Sequence, residues 1–256
     1  MPLIHPNPSS PGPRPACPRT STPHRSVSQT LAPLLFVLIW SSGFLVGRGV
    51  ASHADPFWFL ALRFACVCTV FTIAALWARA AWPQGPRRIG LHLLAGALMS
   101  GFYLGPSWWA MSQGMPAGIM ALIGALQPLF TALIAVLIQG KRLPRTTWLG
   151  LALGFGGVTL VLWPRLAATD ASALSLPVVL LAAGSILSLT VGSMVQKSPW
   201  AASDLRSASA VQNLGAVCVL IAMACIFGTS HWDNSPMLWG YLAYGCWCCP
   251  SRAPRS

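Results

Sequence analysis

The chain has 256 residues, of which 55% are hydrophobic and only 8% are charged. A soluble globular domain carries roughly 25% charged residues, so this chain has too few polar side chains to cover a water-facing surface. The formal net charge of +12 would suggest a nucleic-acid partner for a soluble protein. Here the basic residues cluster in short loops between apolar runs, which is typical of membrane orientation. The composition therefore favours a membrane protein whose main partner is the lipid bilayer, with no nucleic acid bound.

The first 30 residues are rich in Pro, Ser, Thr and Arg. Such a segment cannot bury enough apolar surface to fold, so residues 1–30 are predicted to be a disordered, basic cytosolic tail. The apolar run that follows, Leu31–Gly47, is longer than the hydrophobic region of a signal peptide and lacks a convincing cleavage site. We therefore expect it to be an uncleaved first transmembrane helix.

Eight apolar runs follow one another along the chain. A helix needs about 20 apolar residues to cross the hydrocarbon core, and the fifth and eighth runs are shorter than that. The candidate spans are Leu31–Arg48, Pro56–Trp77, Ile89–Trp109, Ala117–Ile138, Trp148–Trp163, Leu174–Val195, Ala208–Phe227 and Met237–Cys249.

Loops rich in Arg and Lys alternate with loops that carry little positive charge. Positive loops mark the cytoplasmic side, so the alternation predicts a multi-pass protein of the cell (inner) membrane with both termini in the cytoplasm. Several tryptophans, including Trp77, Trp108 and Trp109, fall near the ends of predicted spans, where aromatic belts form. The positive loops hold Arg79, Arg87 and Arg88, then Lys141, Arg142 and Arg145, then Lys197 and Arg206.

Arg63 is placed well inside the second span, seven residues from its start. A charge in the hydrocarbon costs at least about 2.5–3.5 kcal/mol, so such residues usually face a bundle interior or a watery cavity. No acidic residue is predicted at membrane depth to pair with it. One interpretation is a binding site for an anionic group of a small-molecule substrate, and the other is a side chain that snorkels to the surface.

Further polar and aromatic residues at membrane depth are candidate substrate-binding groups. Trp40 either fills space or lines a cavity, and Ser42 serves either helix packing or hydrogen bonding. Tyr103 lies deep in the third span on the same helical face as His92. The polar side chain of Gln212 needs internal partners. His92, close to the cytoplasmic end, is interpreted as an interfacial or satisfied histidine, and the alternative is a proton relay.

Two features of the fourth and fifth spans concern helix shape. Gln127 is followed by Pro128, which removes a backbone hydrogen bond and kinks the helix, so Pro128 is a candidate gating kink and Gln127 a candidate binding residue. The fifth span contains Gly150 and Gly154 in a small-xxx-small pattern, which predicts a closely packed helix face.

No pattern for catalysis, metal binding or a cofactor is present. Acid–base chemistry needs a carboxylate, His or Cys held beside a partner, whereas all four aspartates are predicted in loops. The sequence therefore predicts neither an enzyme nor a metal or cofactor site.

The two halves of the chain show a weak internal repeat. Asp55 is followed eight residues later by Arg63, and Asp204 is followed eight residues later by Gln212. A loose match also relates Trp40-Ser41-Ser42-Gly43 to Leu187-Ser188-Leu189-Thr190. Five spans per copy would invert the second copy in the membrane, as in many transporters.

Three stretches resemble the EamA family of the drug/metabolite transporter superfamily. They are Trp40 to Phe44, Asp55-Pro56 through Arg63-Phe64, and Ala117-Gly118 through Gln127-Pro128 to Trp148-Leu149-Gly150 and Gly157-Val158. The resemblance covers Leu31 to Leu162.

That resemblance implies an all-α polytopic membrane protein with about eight transmembrane helices of a ten-helix (5+5) inverted-repeat fold. Residues 31–163 would be the first repeat, 174–249 an incomplete second repeat, and 250–256 a tail. It also implies export or import of small metabolites such as amino acids by alternating access. Trp40, Arg63 and Pro128 match family positions, and Ser188 and Gln212 would be their counterparts in the second repeat.

Two departures from the family pattern raise an alternative. Gly140-Lys141 stands where the family commonly has Gly-Glu, and from Cys246 onward the sequence does not indicate a membrane span. The expectation is a C-terminal truncation that removes the ninth and tenth helices. The alternative to a transporter is a non-transporting remnant or a helical membrane partner subunit, and whether the chain forms a homo-oligomer stays open.

Overall fold

The computed structural model describes residues 38, 41–138, 140, 142–168, 176–198 and 203–248, all within the unit Leu38–Ser256. The predicted N-terminal tail, most of the first predicted span and Trp40 lie outside these residues. Every regular element in the described part is a helix, and the pairing beyond helices is an isolated antiparallel bridge between Ala54 and Trp232. The all-α fold class is thereby confirmed.

Ten α-helices and one π-helical turn make up the described part of the chain. Helix α1 covers residues 41–50, and the π turn, Ala97–Gly101, connects α3 to α4. The other helices are α2 (Pro56–Trp77), α3 (Pro86–Gly96), α4 (Phe102–Ser112), α5 (Ala117–Gly124), α6 (Gln127–Leu137), α7 (Arg145–Ala168), α8 (Leu176–Gln196), α9 (Leu205–Phe227) and α10 (Pro236–Cys248).

Within the described residues, five helical stretches are long and apolar enough to cross a membrane, and they coincide with the second, third, fourth, sixth and seventh predicted spans. The fifth predicted span lies within α7, and the eighth forms α10, whose 13 residues are fewer than the roughly 20 that a crossing needs. The chain is an all-α polytopic membrane protein. The five stretches are Pro56–Trp77, Pro86–Ser112, Ala117–Leu137, Pro177–Gln196 and Leu205–Phe227.

Helices α2 and α9 form an antiparallel pair, and each begins at an aspartate. The carboxylate of Asp55 accepts hydrogen bonds from the backbone N–H groups of Phe57 and Trp58, and Asp204 accepts one from Arg206. These bonds satisfy backbone donors that a helix start leaves unpaired. The two residues that the sequence repeat aligned therefore serve the same structural role.

Glycines allow α3 and α9 to cross at very short range. A Cβ at Gly96 would overlap the backbone carbonyl of Gln212, and a Cβ at Gly215 would overlap the carbonyl of Leu93. Because the obstacles are backbone atoms, neither position can take a larger residue without movement of a helix. This crossing fixes Gln212 of α9 beside the third span.

Helices α4 and α8 are joined by hydroxyl groups. The Ser107 and Ser185 hydroxyls lie 2.9 Å apart, and Ser188 Oγ donates to the carbonyl of Leu98 in the π turn at 3.0 Å. Ser107 and Ser185 are fully buried. Their mutual bond removes the cost of placing hydroxyl groups in an apolar interior.

The loop before α2 is tied to the loop after α9. The Asp55 carboxylate accepts hydrogen bonds from the backbone N–H of Thr229 at 2.8 Å and from its hydroxyl at 3.2 Å. His53 Nδ1 lies 2.7 Å from Asp233 Oδ2, and the Asp233 backbone N–H donates to the His53 carbonyl. These contacts hold together the ends of α2 and α9 that lie on one side of the bundle.

Two expectations about helix shape have different outcomes. The fourth span is interrupted where Pro128 predicted a kink, because α5 ends at Gly124 and α6 begins at Gln127 with the proline in its first turn. The predicted packing face of α7 is wrong for the described structure. No atom approaches within 4 Å of a Cβ built at Gly150 or Gly154, so no described helix packs closely there.

Candidate functional site

A cavity of about 420 Å³ lies between α1, α2, the π turn with α4, α8 and α9. Its walls are mainly apolar and aromatic, with a smaller number of polar groups, which is typical of small-molecule sites. The lining residues are Gly43, Phe44, Arg63, Phe64, Val67, Phe71, Met99, Ser100, Tyr103, Leu104, Ser107, Trp108, Leu189, Gln196, Leu205, Arg206, Ser209, Gln212 and Asn213.

Arg63 enters this cavity from α2. Its guanidinium carbon lies 5.5 Å from the centroid of the Phe64 ring, and its Nε atom is buried without a hydrogen-bond partner among the described residues. Helix α10 covers the side chain with Gly245, where a Cβ would lie only 2.7 Å from Arg63 Nε. The arginine is therefore held inside the bundle by packing, and its charge is not neutralised by a described carboxylate.

Gln212 reaches the cavity from α9 and takes part in a polar chain. Its Nε2 lies 3.3 Å from His92 Nδ1, its Oε1 accepts a hydrogen bond from Gln196 at 3.4 Å, and His92 Nε2 lies 3.1 Å from Ser203 Oγ. His92 is only 1% exposed. The predicted internal partners of Gln212 are thus identified, and His92 is a buried, hydrogen-bonded histidine.

Tyr103 and Ser42 differ in their relation to the cavity. Tyr103 is 5% exposed and lines the cavity. Ser42 does not line it, although Gly43 beside it does, and the Ser42 hydroxyl lies 2.7 Å from the Tyr244 hydroxyl of α10. Ser42 therefore joins α1 to α10 at the edge of the site.

Two further predicted site residues, Gln127 and Pro128, lie away from the cavity. They form the first turn of α6, which contributes no lining residue. Arg63, Tyr103 and Gln212 are thus the three predicted binding residues that the structure brings into one space.

Several lining residues were not singled out from the sequence. Phe64 and Phe71 lie seven residues apart on α2, which places them two turns apart on one side of the helix. Since Phe64 is next to Arg63 in the chain, a cavity at Arg63 could have been predicted to include this side. Trp108 was predicted in an interfacial belt, but it is 2% exposed and stacks on Phe59 with ring centroids 5.9 Å apart. Arg206 was interpreted as a loop residue for orientation, and it also borders the cavity.

The π turn shapes the middle of the site. Such turns insert one extra residue into a helix and occur frequently at functional sites. Met99 and Ser100 of the turn Ala97–Gly101 line the cavity. Tyr103 and Trp108 of α4, the helix that follows the turn, line the same space.

The cavity is bordered by exposed residues near the start of α9. Gln196, Leu205 and Arg206, near the end of α8 and the start of α9, line it and are exposed. At the other side, Phe59 and Trp108 pack together below the tied loops of His53 and Asp233. A small molecule would therefore enter beside the start of α9.

Comparison with known proteins agrees with this architecture. The chain is 25% identical over 246 residues to "Uncharacterized transporter sll0355" of Synechocystis sp., an alignment that covers 88% of this chain and 71% of the relative. It is 29% identical over 131 residues to "Probable amino-acid metabolite efflux pump" of Salmonella typhimurium, which covers 50% of this chain and 41% of that relative. No solved structure matches the chain. The model of the EamA-like transporter family matches residues 29–163, more than half of the chain, and the chain therefore belongs to that family.

Proposed function

We propose that this protein is a secondary transporter that exports small metabolites such as amino acids by alternating access. Family membership makes it a multi-pass membrane transporter of the drug/metabolite type, and the proposal adds the direction, the substrate and the mechanism. The observation that carries it is Arg63. An arginine within a membrane-spanning helix is costly. Arg63 is half-buried and lines a cavity of about 420 Å³ that is large enough for a small metabolite.

Two inverted repeats would form the transport unit. Helices α2 and α9 support this interpretation because each begins at an aspartate cap and each contributes a polar side chain, Arg63 or Gln212, to the same cavity. The repeats comprise residues 31–163 and 174–249, with a cytosolic tail at 1–30. The protein resides in the inner membrane with both termini in the cytoplasm, so the accessible side beside Arg206 faces the cytoplasm.

Alternating access requires that the closed side can open. The hydrogen bonds of Asp55 with Thr229 and the contact between His53 and Asp233 join the two loops on that side. In the proposed cycle these bonds break while the cavity closes beside Arg206. The substrate then leaves on the side opposite the cytoplasm.

Exchange in proteoliposomes tests the proposal. Purified chain is reconstituted into vesicles preloaded with unlabelled amino acids or organic acids, and entry of the labelled compound is followed. We expect exchange above that of empty vesicles and a loss of at least about tenfold in Arg63→Ala, the size expected when a charge-assisted hydrogen bond to a ligand is removed. The matched control is Arg48→Ala, an exposed arginine that does not line the cavity.

The absence of exchange by folded wild-type chain would contradict the proposed function. Folding is checked independently from the cooperative melting of the tryptophan fluorescence. That outcome favours the alternative, a membrane protein that serves as a helical partner of another subunit.

A further inference from the structure

Two guanidinium groups border the cavity, and none of its described lining residues is acidic. Arg63 comes from α2 and Arg206 from α9. The ion pair within the described residues joins His53 and Asp233 in the loops, so neither cavity arginine is neutralised by a carboxylate. The interior therefore carries a positive potential, which attracts anions and repels cations.

The register of α2 against α9 gives the separation of the two charges. Cys68 Sγ donates to the carbonyl of Ala210 at 3.3 Å, which sets these residues at the same level of an antiparallel pair. Counted from this contact, Arg206 lies about nine residues beyond Arg63, and counted from the Asp55–Thr229 contact it lies about fifteen beyond. The separation along the axis is therefore roughly 13–22 Å at 1.5 Å per residue. One carboxylate cannot contact both arginines, so Arg206 acts at the entrance and Arg63 at the inner end.

The surface around Arg63 suits an apolar or aromatic body. Phe44, Phe64, Tyr103 and Trp108 line the cavity on α1, α2 and α4. The Ser107 hydroxyl beside them already bonds the Tyr103 carbonyl at 2.6 Å and the Ser185 hydroxyl. Few hydrogen-bonding groups are thus left near the inner end for a very polar substrate such as a sugar.

An ammonium group meets no carboxylate among the described lining residues of this cavity. A cation in a low-dielectric site needs a carboxylate or several carbonyl oxygens to replace its hydration. Asn213 and Ser209 supply only neutral acceptors, and the Asn213 Nδ2 group donates to the Ser209 carbonyl at 2.7 Å. Arg63 and Arg206 would both repel the ammonium of a zwitterionic amino acid.

We propose that the site selects small organic acids of net negative charge with an apolar or aromatic body, over zwitterionic amino acids of the same shape. This inference rests on the proposed transport function and narrows its substrates to organic anions, in place of the amino acids given there as the example. The carboxylate binds the Arg63 guanidinium, the body packs against the aromatic wall, and Arg206 draws the anion in from solvent. Arginine suits this role because its planar guanidinium can bind a carboxylate through two hydrogen bonds.

Three ligands that share one phenyl body test this selectivity. They are 3-phenylpropionate, which is an anion, L-phenylalanine, which is a zwitterion, and phenethylamine, which is a cation. Their dissociation constants are measured by calorimetry on the full chain in lipid nanodiscs. We expect 3-phenylpropionate to bind at least about tenfold more tightly than L-phenylalanine, and phenethylamine to bind not at all.

Variants separate the roles of the two arginines. Arg63→Ala should weaken 3-phenylpropionate binding at least about tenfold and abolish the preference over L-phenylalanine. Arg206→Ala should mainly slow association and reduce its dependence on salt, because a charge at the entrance steers the ligand. Arg48→Ala should change neither.

The outcomes distinguish this inference from the proposed function. Equal or tighter binding of L-phenylalanine, or no binding of 3-phenylpropionate, overturns the selectivity. Binding of 3-phenylpropionate that depends on Arg63 supports it, even where reconstituted vesicles show no exchange. In that last case the transport proposal fails and the anion site stands.

Discussion

Gly96→Ala would test the closest helix crossing in the structure. The added methyl group would overlap the carbonyl oxygen, the carbonyl carbon and the Cα of Gln212. Overpacking typically costs 1–3 kcal/mol, and we expect the upper part of this range because backbone atoms cannot move aside as a flexible side chain can. By the scaling for chains of 150–250 residues, about 3 kcal/mol lowers the melting temperature by roughly 6–12 °C.

Gly90→Ala is the matched control on the same helix. Gly90 is exposed, and no atom lies within 4 Å of a Cβ at this position. Alanine is the better helix former, so this variant should be unchanged or more stable by up to about 1 kcal/mol. Both are compared by tryptophan fluorescence melting in one detergent. A Gly96→Ala protein that melts with the wild type would refute the crossing.

Two further predictions concern α10 and the tied loops. Gly245→Ala adds a methyl group 2.7 Å from Arg63 Nε and should weaken 3-phenylpropionate binding about two- to tenfold by forcing the guanidinium off its rotamer. The control variant Gly240→Ala, whose Cβ meets no atom within 4 Å, should leave binding unchanged. Both are measured by calorimetry, and equal effects of the two variants would contradict the contact. Hydrogen bonds from His53 and from Ser235 lower the pKa of Asp233 from 3.8 to about 2. A lowered carboxyl pKa stabilises the fold above the unfolded pKa, and this effect is lost as pH falls from about 4 towards 2. The melting temperatures of wild type and Asp233→Asn should therefore converge over that interval. A difference that stays constant with pH would exclude this pairing.

Features that depend on the local chain were predicted well from the sequence. The depth of Arg63 in its helix follows from its distance to the span's first residue, and the break at Pro128 follows from a missing backbone donor. The equivalence of Asp55 and Asp204 was visible in the sequence, because each is followed by a polar residue eight positions later. In the structure it becomes a pair of helix caps.

Features that depend on a distant partner could not be predicted in this way. The spacing of Gly150 and Gly154 shows where another helix is allowed to approach, but not whether one does. The position of Trp108 near the end of an apolar run is compatible with the membrane surface and with the interior. Its burial depends on Phe59 of another helix, a partner that no local residue pattern indicates.

The pairing of α2 with α9 has a consequence for biogenesis. About 130 residues separate the end of α2 from the start of α9, which at 5–20 residues per second corresponds to roughly 6–26 s of synthesis. During that interval α2 is already made, while α9 and the Thr229 that follows it and bonds Asp55 are still untranslated. The nascent chain must therefore hold a charged helix without its partner, which makes this stage the natural point for an insertase or a chaperone to act.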